Sequence, residues 1–498
     1  MAPTKGPVFR VTGLPASQPD AELTALLEAA IHNSLTEEER SKQTVSIATA
    51  PSCYDDDEKV ALVEFHGGAP AFLSELKDNP LGDWQVEMGD TDLSFDCHFF
   101  GFTQLYTQMP SMPVTADIIA ITGLDGHAYG SWRGKGNLGR MWLRDFLSKD
   151  LPHCRTMIYG YNSKLSSRGV DTIMDYGWGL IEELKKVRHT EELRKRPLFF
   201  IAHSFGGIIL AHCLVKAVQT NEDDHPTIAS LHKATYGMLL FGIPHKGLLV
   251  DDIQKMLAGQ DNHPRSMLLQ QIRSKSDLLA NQLVDFKNLI RDRKIASFYE
   301  TGQTRQLEFD RESKRWKRTG DFVTAVDADS ALLQLPEHME EKIPLDADHS
   351  MIVKFDTRNT RGYTSARDKL RQFEQDAPRV VADRFFRPLI PRGLRRLTAV
   401  DDEVGDVGKV RAPLNLTPLS TIHIEVGSGE LLAYELNDRY YIYIEDQRLC
   451  PKTKSLLLPS EAIKLGLVTS AAGSLVGSSV TSGMRCQPAG RENQGVEG

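Results

Sequence analysis

Leu198-Phe199-Phe200-Ile201-Ala202-His203-Ser204-Phe205-Gly206-Gly207 is the stretch whose reading decides the fold. The apolar run Leu198–Ala202 predicts a buried strand, and Ile208-Ile209-Leu210-Ala211-His212-Cys213-Leu214 just beyond predicts a helix. No residues remain for a loop, so the chain must turn sharply at Ser204. Such a turn strains the serine backbone and demands small residues at minus two and plus two, where neighbouring backbone approaches. Ala202 and Gly206 stand there. This is the strand–serine–helix elbow, usually Gly-x-Ser-x-Gly, that presents a nucleophilic hydroxyl at the end of a sheet. Ala202 replaces the first glycine. A serine in a chance glycine-rich turn is the bland alternative; the flanking strand and helix favour a nucleophile.

A serine hydroxyl needs a base for its proton and donors for the oxyanion that forms. Upstream, Ile118-Ile119-Ala120-Ile121-Thr122 runs into Gly123-Leu124-Asp125-Gly126-His127. A turn in that place gives one backbone N–H to the oxyanion and the residue after the nucleophile gives the other, which points to Leu124 and Phe205. Downstream, Lys342–Leu345 predicts a short strand leading into Asp346-Ala347-Asp348-His349. Of 15 histidines, His349 stands where the order serine, acid, histidine needs its base, after the last sheet strand. The acid should lie between them, just beyond a strand. Ile295–Tyr299 is such a strand, and Glu300 stands at its C-terminal end, where parallel-sheet enzymes collect their catalytic groups. Asp327, which follows a second apolar stretch, is the rival acid.

Outward from this site, residues 114–375 alternate apolar strands (Asp117–Thr122, Arg155–Tyr159, Leu198–Ala202, Met238–Phe241, Ile295–Tyr299) with amphipathic helices such as 172–188. That alternation predicts an α/β domain with a doubly wound, mostly parallel sheet. Residues 7–106 read as strand, helix, strand, strand, helix, strand, with Trp84–Met88 as the last strand. The order is ferredoxin-like and resembles an RNA-recognition motif in topology. That family stacks bases on aromatic side chains of its two central strands, and Arg10, Val60 and Leu62 occupy those places here. A protein-contact or structural module is therefore expected. Residues 376–412, rich in Arg, Asp, Pro and Gly, read as a linker. A small β-rich region follows at 413–468, with strands Thr421–Val426, Leu431–Leu436 and Arg439–Ile444, and then a Gly/Ser-rich tail, expected to be disordered, at 469–498.

Composition narrows the function. The 498 residues suggest about two to four domains. With 59 Lys+Arg against 67 Asp+Glu, the net charge of −8 argues against nucleic acid as the main ligand. No apolar run approaches the ~20 residues of a membrane span, and Met1-Ala2-Pro3-Thr4-Lys5-Gly6 lacks the apolar core of a secretory signal. Cys53, Cys97, Cys154, Cys213, Cys450 and Cys486 are scattered, as reduced intracellular thiols would be, with no Cys-x-x-Cys pair for a metal. No cofactor is expected either. Gly134-Lys135-Gly136-Asn137-Leu138-Gly139 satisfies Gly-x-Gly-x-x-Gly but follows no strand, so the dinucleotide context is missing. The basic run Lys314-Arg315-Trp316-Lys317-Arg318 reads as a solvated hairpin tip.

Several motifs resemble, in combination, a family of intracellular α/β-hydrolases. They are Gly123-Leu124-Asp125-Gly126-His127 with Ser131-Trp132, Met141–Leu147, Tyr159-Gly160-Tyr161-Asn162, His203–Gly207, Phe241-Gly242-Ile243-Pro244-His245-Lys246-Gly247 and Asp346–His349. The family includes serine active-site-containing proteins, GPI inositol-deacylase-like lipases and the esterase-like N-terminal domains of fungal NOD-like receptors. The resemblance covers roughly residues 114–357. It implies serine esterase or lipase chemistry on a small ester or lipid, a cytoplasmic or otherwise intracellular location, and in one branch mitochondrial or ER lipid handling. Peripheral membrane contact is compatible with it. Ala202, Phe205 and Thr122 depart from the residues usual there, and nothing matches the Gly-x-x-x-x-Gly-Lys-Ser/Thr of the receptors' ATPase. The alternative function is a catalytically degenerate module of fungal-receptor ancestry, recruiting protein partners through the N-terminal module or the C-terminal region.

Overall fold

The computed structural model describes residues 5–386, apart from 89–90, 109–112, 251–252, 255–256, 258–262 and 311–314, and the strands between 421 and 457. From the N-terminus, β1 (Val8–Pro15), β2 (Thr44–Pro51), β3 (Glu58–His66), β4 (Asp83–Met88) and β5 (Thr91–Asp96) form an antiparallel sheet in the order β2-β3-β1-β5-β4. One face packs Phe9, Val11, Leu14, Ala61 and Val63 against Leu23, Leu27 and Ile31 of the helix Asp20–Ser34. The topology is ferredoxin-like with one strand added at an edge. Trp84–Met88, expected as the closing strand, is that added edge. The strand beside β1 is β5, because Leu93 and Phe95 supply the buried alternation, whereas Trp84 and Val86 are only partly covered.

The opposite face of this sheet is the one on which an RNA-recognition motif stacks bases, and here the protein covers it. Val8 and Leu62 share a core with Phe99, Tyr129, Trp132 and Met141. Arg10 is buried, donating to Asp96 at 2.7 Å, to the Phe100 carbonyl at 2.9 Å and to Thr103 at 3.0 Å. Arg133 reaches across to the Gly6 carbonyl at 2.7 Å and to Glu64 at 2.5 Å. A base would have to displace this packing to find a ring to stack on. Titrating the full chain with labelled single-stranded RNA at physiological salt should give only weak, salt-sensitive association. Micromolar binding that survives added salt would contradict this.

β6 (Gly101–Gln104), β7 (Ala116–Ile121), β8 (Cys154–Gly160), β9 (Leu198–His203), β10 (Thr235–Phe241), β11 (Lys294–Glu300), β12 (Thr304–Asp310), β13 (Arg315–Val323) and β14 (Glu340–Leu345) continue the chain. Seven of them form one sheet in the order β14-β11-β10-β9-β7-β8-β6, parallel except for β6, while β12 and β13 pair with each other. Both faces are apolar, since side chains alternate along a strand. Ile119, Ile121, Phe200, Ala202, Met238 and Leu240 meet the helices Ile173–Val187, Phe205–Gln219 and Asp277–Leu289. Ile118, Ala120, Phe199, Ile201, Leu239 and Phe241 meet residues 142–151 and the helix Arg361–Phe386. This is the α/β-hydrolase fold. Its first strand, β6, lies inside the range 7–106 expected for the N-terminal module. β12 and β13 form a hairpin, as expected around the basic run; from Arg315, opposite Asp310, the run lies on its second strand, and Lys314 falls outside the described residues.

Residues 376–386, expected as the start of a linker, lie in a helix instead. The helix Arg361–Phe386 carries Tyr363, Ala366, Leu370, Phe373, Ala377 and Val381 on one buried stripe, and that burial holds it together through Pro378. Residues 387–420 and 458–498, with most of the expected linker and all of the tail, lie outside the described residues. Arg387–Gly498 is a separate unit, in which β15 (Thr421–Val426), β16 (Gly429–Leu436), β17 (Arg439–Glu445) and β18 (Lys454–Leu457) form an antiparallel meander. Among the described residues no helix is long and apolar enough to cross a membrane.

Asp117 ties down the N-terminal end of the sheet. Fully buried, it takes two bonds from Arg155, at 2.8 and 3.0 Å, one from Arg196 at 3.3 Å and one from Arg188. Burial alone would raise its carboxyl pKa, but the Arg155 and Arg188 guanidiniums outweigh this and hold it below the usual value. A depressed folded-state pKa adds stability above the ordinary carboxylate pKa, and that stability is lost as pH falls through the folded-state value. Asp117→Asn leaves the guanidiniums without their counter-charge and should cost about 3–5 kcal/mol in urea unfolding at neutral pH. The gap from wild type should close in acid; a neutral-pH loss under about 1 kcal/mol would show the cluster to be dispensable.

Candidate functional site

Strand β9 ends at His203 and the helix begins at Phe205, which leaves Ser204 alone at the bend with φ +52° and ψ −128°. A non-glycine residue there stores roughly 1–3 kcal/mol of strain, which the surrounding structure must hold. The Ser204 N–H donates to the Phe241 carbonyl at 3.0 Å. Gly206 has no room for a side chain: a Cβ would lie 2.5 Å from the carbonyl oxygens of both Ile121 and Thr122. Ala202, by contrast, is fully buried in the core with its methyl accommodated. The elbow is strict at plus two and lenient at minus two.

His349 Nε2 lies 2.9 Å from Ser204 Oγ, and its Nδ1 lies 2.7 Å from Glu300 Oε2. Glu300, at the end of β11 and 5% exposed, accepts the Val326 N–H on its other oxygen at 3.0 Å. Gly242, at φ +53°, clears space for the ring, since a Cβ there would stand 3.2 Å from His349 Cε1 and Nδ1. Asp348 fixes the turn that carries His349 by accepting the Ser350 and Met351 N–H groups at 2.8 and 2.9 Å. Asp327 is elsewhere: it is exposed and caps the short helix Ala328–Ala331, accepting the Ser330 N–H at 2.7 Å. Three of the expected residues come together, and the rival acid does not join them.

The turn after β7 passes against the serine, so close that a Cβ on Gly123 would lie 2.8 Å from Ser204 Cβ. Asp125 adopts φ +55° and donates its N–H to the Ser163 carbonyl at 2.8 Å; the Gly126 N–H closes on the Gly123 carbonyl at 3.1 Å. Tyr161 donates to the Thr122 carbonyl at 3.0 Å and Ser163 Oγ to the Gly126 carbonyl at 2.5 Å. Phe205 opens a 15-residue helix, whose first N–H groups have no partner within the helix and whose dipole favours negative charge. A cavity of about 340 Å³ lies beside this turn; Ser204 and His349 are not among its lining residues.

The sequence motif includes His203, but the reading gave it no role of its own although it adjoins Ser204. It is buried, and its Nε2–H donates to the His349 carbonyl at 2.9 Å, pinning the loop that carries the other imidazole. Burial and the nearby His349 push its pKa well below the ordinary histidine value, so it stays neutral beside a group that could take a proton. Its place directly before the elbow serine was the available signal. The Gly134–Gly139 loop is held by Asp356, which accepts the Gly136 N–H at 2.7 Å, so that N–H is already engaged.

No family model matches the chain. Protein SERAC1 of Danio rerio is 26% identical over 307 residues, which cover 54% of this chain and 40% of that protein. Protein SERAC1 of Homo sapiens is 26% identical over 154 residues, 28% of this chain and 23% of that protein. The matched part thus spans two fifths or less of these relatives' own length. Among solved structures, the Bacillus licheniformis lipase BlEst2 in mature form covers 52% of this chain and 94% of its own at 15% identity, with a TM-score of 0.33. A soluble variant of the Saccharomyces cerevisiae monoglyceride lipase covers 59% and 94% at 14% identity, with a TM-score of 0.31. The chain carries an α/β-hydrolase fold and is a distant, partial homologue of SERAC1.

Proposed function

We propose that the chain is a serine hydrolase that cleaves carboxylic esters, of small molecules or of lipids, through an acyl-enzyme. Ser204 Oγ attacks the ester carbonyl while His349 Nε2 takes its proton. Glu300 holds the imidazole in the tautomer that can do so and balances the imidazolium. The Leu124 and Phe205 N–H groups, with the helix dipole behind them, take the charge of the tetrahedral intermediate. His349 then returns the proton to the leaving alcohol, and water releases the acid by the same steps in reverse order. The observation that carries this reading is the unbroken hydrogen-bonded chain from Ser204 through His349 to a buried Glu300.

A binding module on a degenerate hydrolase fold would be free to lose one of these groups, and none is lost. Labelling the full chain with a fluorophosphonate, followed by peptide mapping, tests the reading. One adduct on the peptide containing Ser204 is expected. No adduct, or one on another serine, would return the chain to the binding-module reading.

A further inference from the structure

We propose that the N-terminal module serves the catalytic site by bracing the oxyanion turn, with His127 as the positioning residue that joins the two. The proposal rests on the reading of Ser204 as nucleophile and of the Leu124 N–H as an oxyanion donor.

His127 closes the Gly123–His127 turn and faces the module. Its Nε2–H donates to the Cys97 carbonyl at 2.8 Å, just beyond β5, and its Nδ1 accepts from the Tyr129 and Gly130 N–H groups at 3.1 and 2.9 Å. Those partners admit one neutral tautomer only, and burial, the leading cause, lowers the ring's pKa in the same sense. The backbone N–H of His127 donates to Ser131 Oγ at 3.0 Å, and Phe99 packs edge-on against the ring with centroids 5.4 Å apart. One residue thus ties the turn to the neighbouring module.

The far end of the brace is equally built. Asp96 accepts the Phe99 N–H at 2.7 Å and the Arg10 Nε at 2.7 Å, while Arg10 Nη1 holds the Phe100 carbonyl and Thr103. Arg10 stands where a nucleic-acid binder would carry a stacking ring. Here it fixes the segment 96–103, whose Cys97 carbonyl anchors His127. The loop 161–165 also holds the turn, through Tyr161 and Ser163. Oxyanion donors act by being in place before charge develops, and a misplacement of about 1 Å from a distant change can cost ~10²-fold. The face that gives related topologies their ligand has become a support for chemistry.

His127→Asn keeps an acceptor near Nδ1 and loses the bond to Cys97; His127→Gln keeps a donor near Nε2. The asparagine variant should lose about 10- to 100-fold in kcat with KM within about two-fold, and fluorophosphonate labelling should slow in proportion. Deuterium exchange of residues 122–126 should accelerate in the same variant. The glutamine variant should restore most of both. Arg10→Lys, which keeps charge beside Asp96 and drops the Nη1 fork, should shift both readouts in the same direction and stands in if His127→Asn does not fold. Unchanged kcat, labelling and exchange in His127→Asn and Arg10→Lys would overturn the brace. A wild-type chain that neither labels nor hydrolyses esters would instead overturn the reading of Ser204, and the exchange comparison would still decide whether the module holds the turn.

Discussion

Ser204→Ala should abolish ester hydrolysis and fluorophosphonate labelling while leaving the circular dichroism spectrum and the melting curve close to wild type. In enzymes of this chemistry, losing the nucleophile costs about 10⁶ in kcat, and what survives comes from the oxyanion donors and substrate binding. The hydroxyl lies 2.9 Å from His349 Nε2 and the residue is buried in a strained bend. Alanine keeps the Cβ and meets the same backbone demand, so the change is confined to one oxygen and the stability difference should stay within about 1 kcal/mol. Equal labelling of the mutant would move the nucleophile elsewhere. A mutant that fails to fold would say nothing about chemistry, which is why the melting curve belongs to the measurement.

Glu300→Gln should lower kcat by about 10² to 10⁴ with KM little changed, and the reason is a conflict of donors. Glu300 accepts at both oxygens, from His349 Nδ1 at 2.7 Å and from the Val326 N–H at 3.0 Å. A glutamine has one acceptor. With its oxygen toward Val326, its NH₂ faces Nδ1, which must then accept. The proton moves to Nε2, where it blocks the lone pair that Ser204 needs. With the amide reversed, NH₂ meets the Val326 N–H, donor against donor, in a buried site. Either arrangement is costly. Asp327→Asn makes the opposite comparison: asparagine caps a helix about as well as aspartate, so activity should stay within about two-fold. The reverse order of effects would assign the acid role to Asp327 and leave Glu300 a strand-end residue.

The elbow was readable because its causes are local. Strand, serine and helix lie within 22 residues, Leu198–Gln219, and the small residues that flank a tight bend stand at fixed spacing. Glu300 and His349 were readable from chain order, since both follow strands whose apolar runs mark the sheet. The expected strand Asp117–Thr122 is displaced by one residue from the observed β7, and Leu198–Ala202 stops one residue short of β9. What escaped the reading depends on pairings between distant segments. β6 is four residues long, too short to show periodicity. Residues from 376, Pro378 among them, read as linker by composition, but the buried stripe on either side of Pro378 outweighs its missing hydrogen bond and the helix runs to Phe386. The covered face of the N-terminal sheet did leave a trace. Val60-Ala61-Leu62-Val63 is apolar without alternation, as in a strand buried on both sides.

The covered face also bears on how such a chain is inherited. Its most visible seam, near residue 106, is not a joint at which the two parts separate. Removing the residues before it would strip β6 from the edge of the large sheet and uncover Tyr129, Trp132 and Met141. A newly exposed apolar patch of that kind invites aggregation rather than independent folding. A recombination breakpoint beyond Phe386, at the edge of the compact unit Met1–Phe386, would leave this shared core intact, whereas one near residue 106 would cut through it. The N-terminal module and the hydrolase sheet would therefore travel through evolution as one cassette, and changes on one side of their shared surface should be answered by changes on the other.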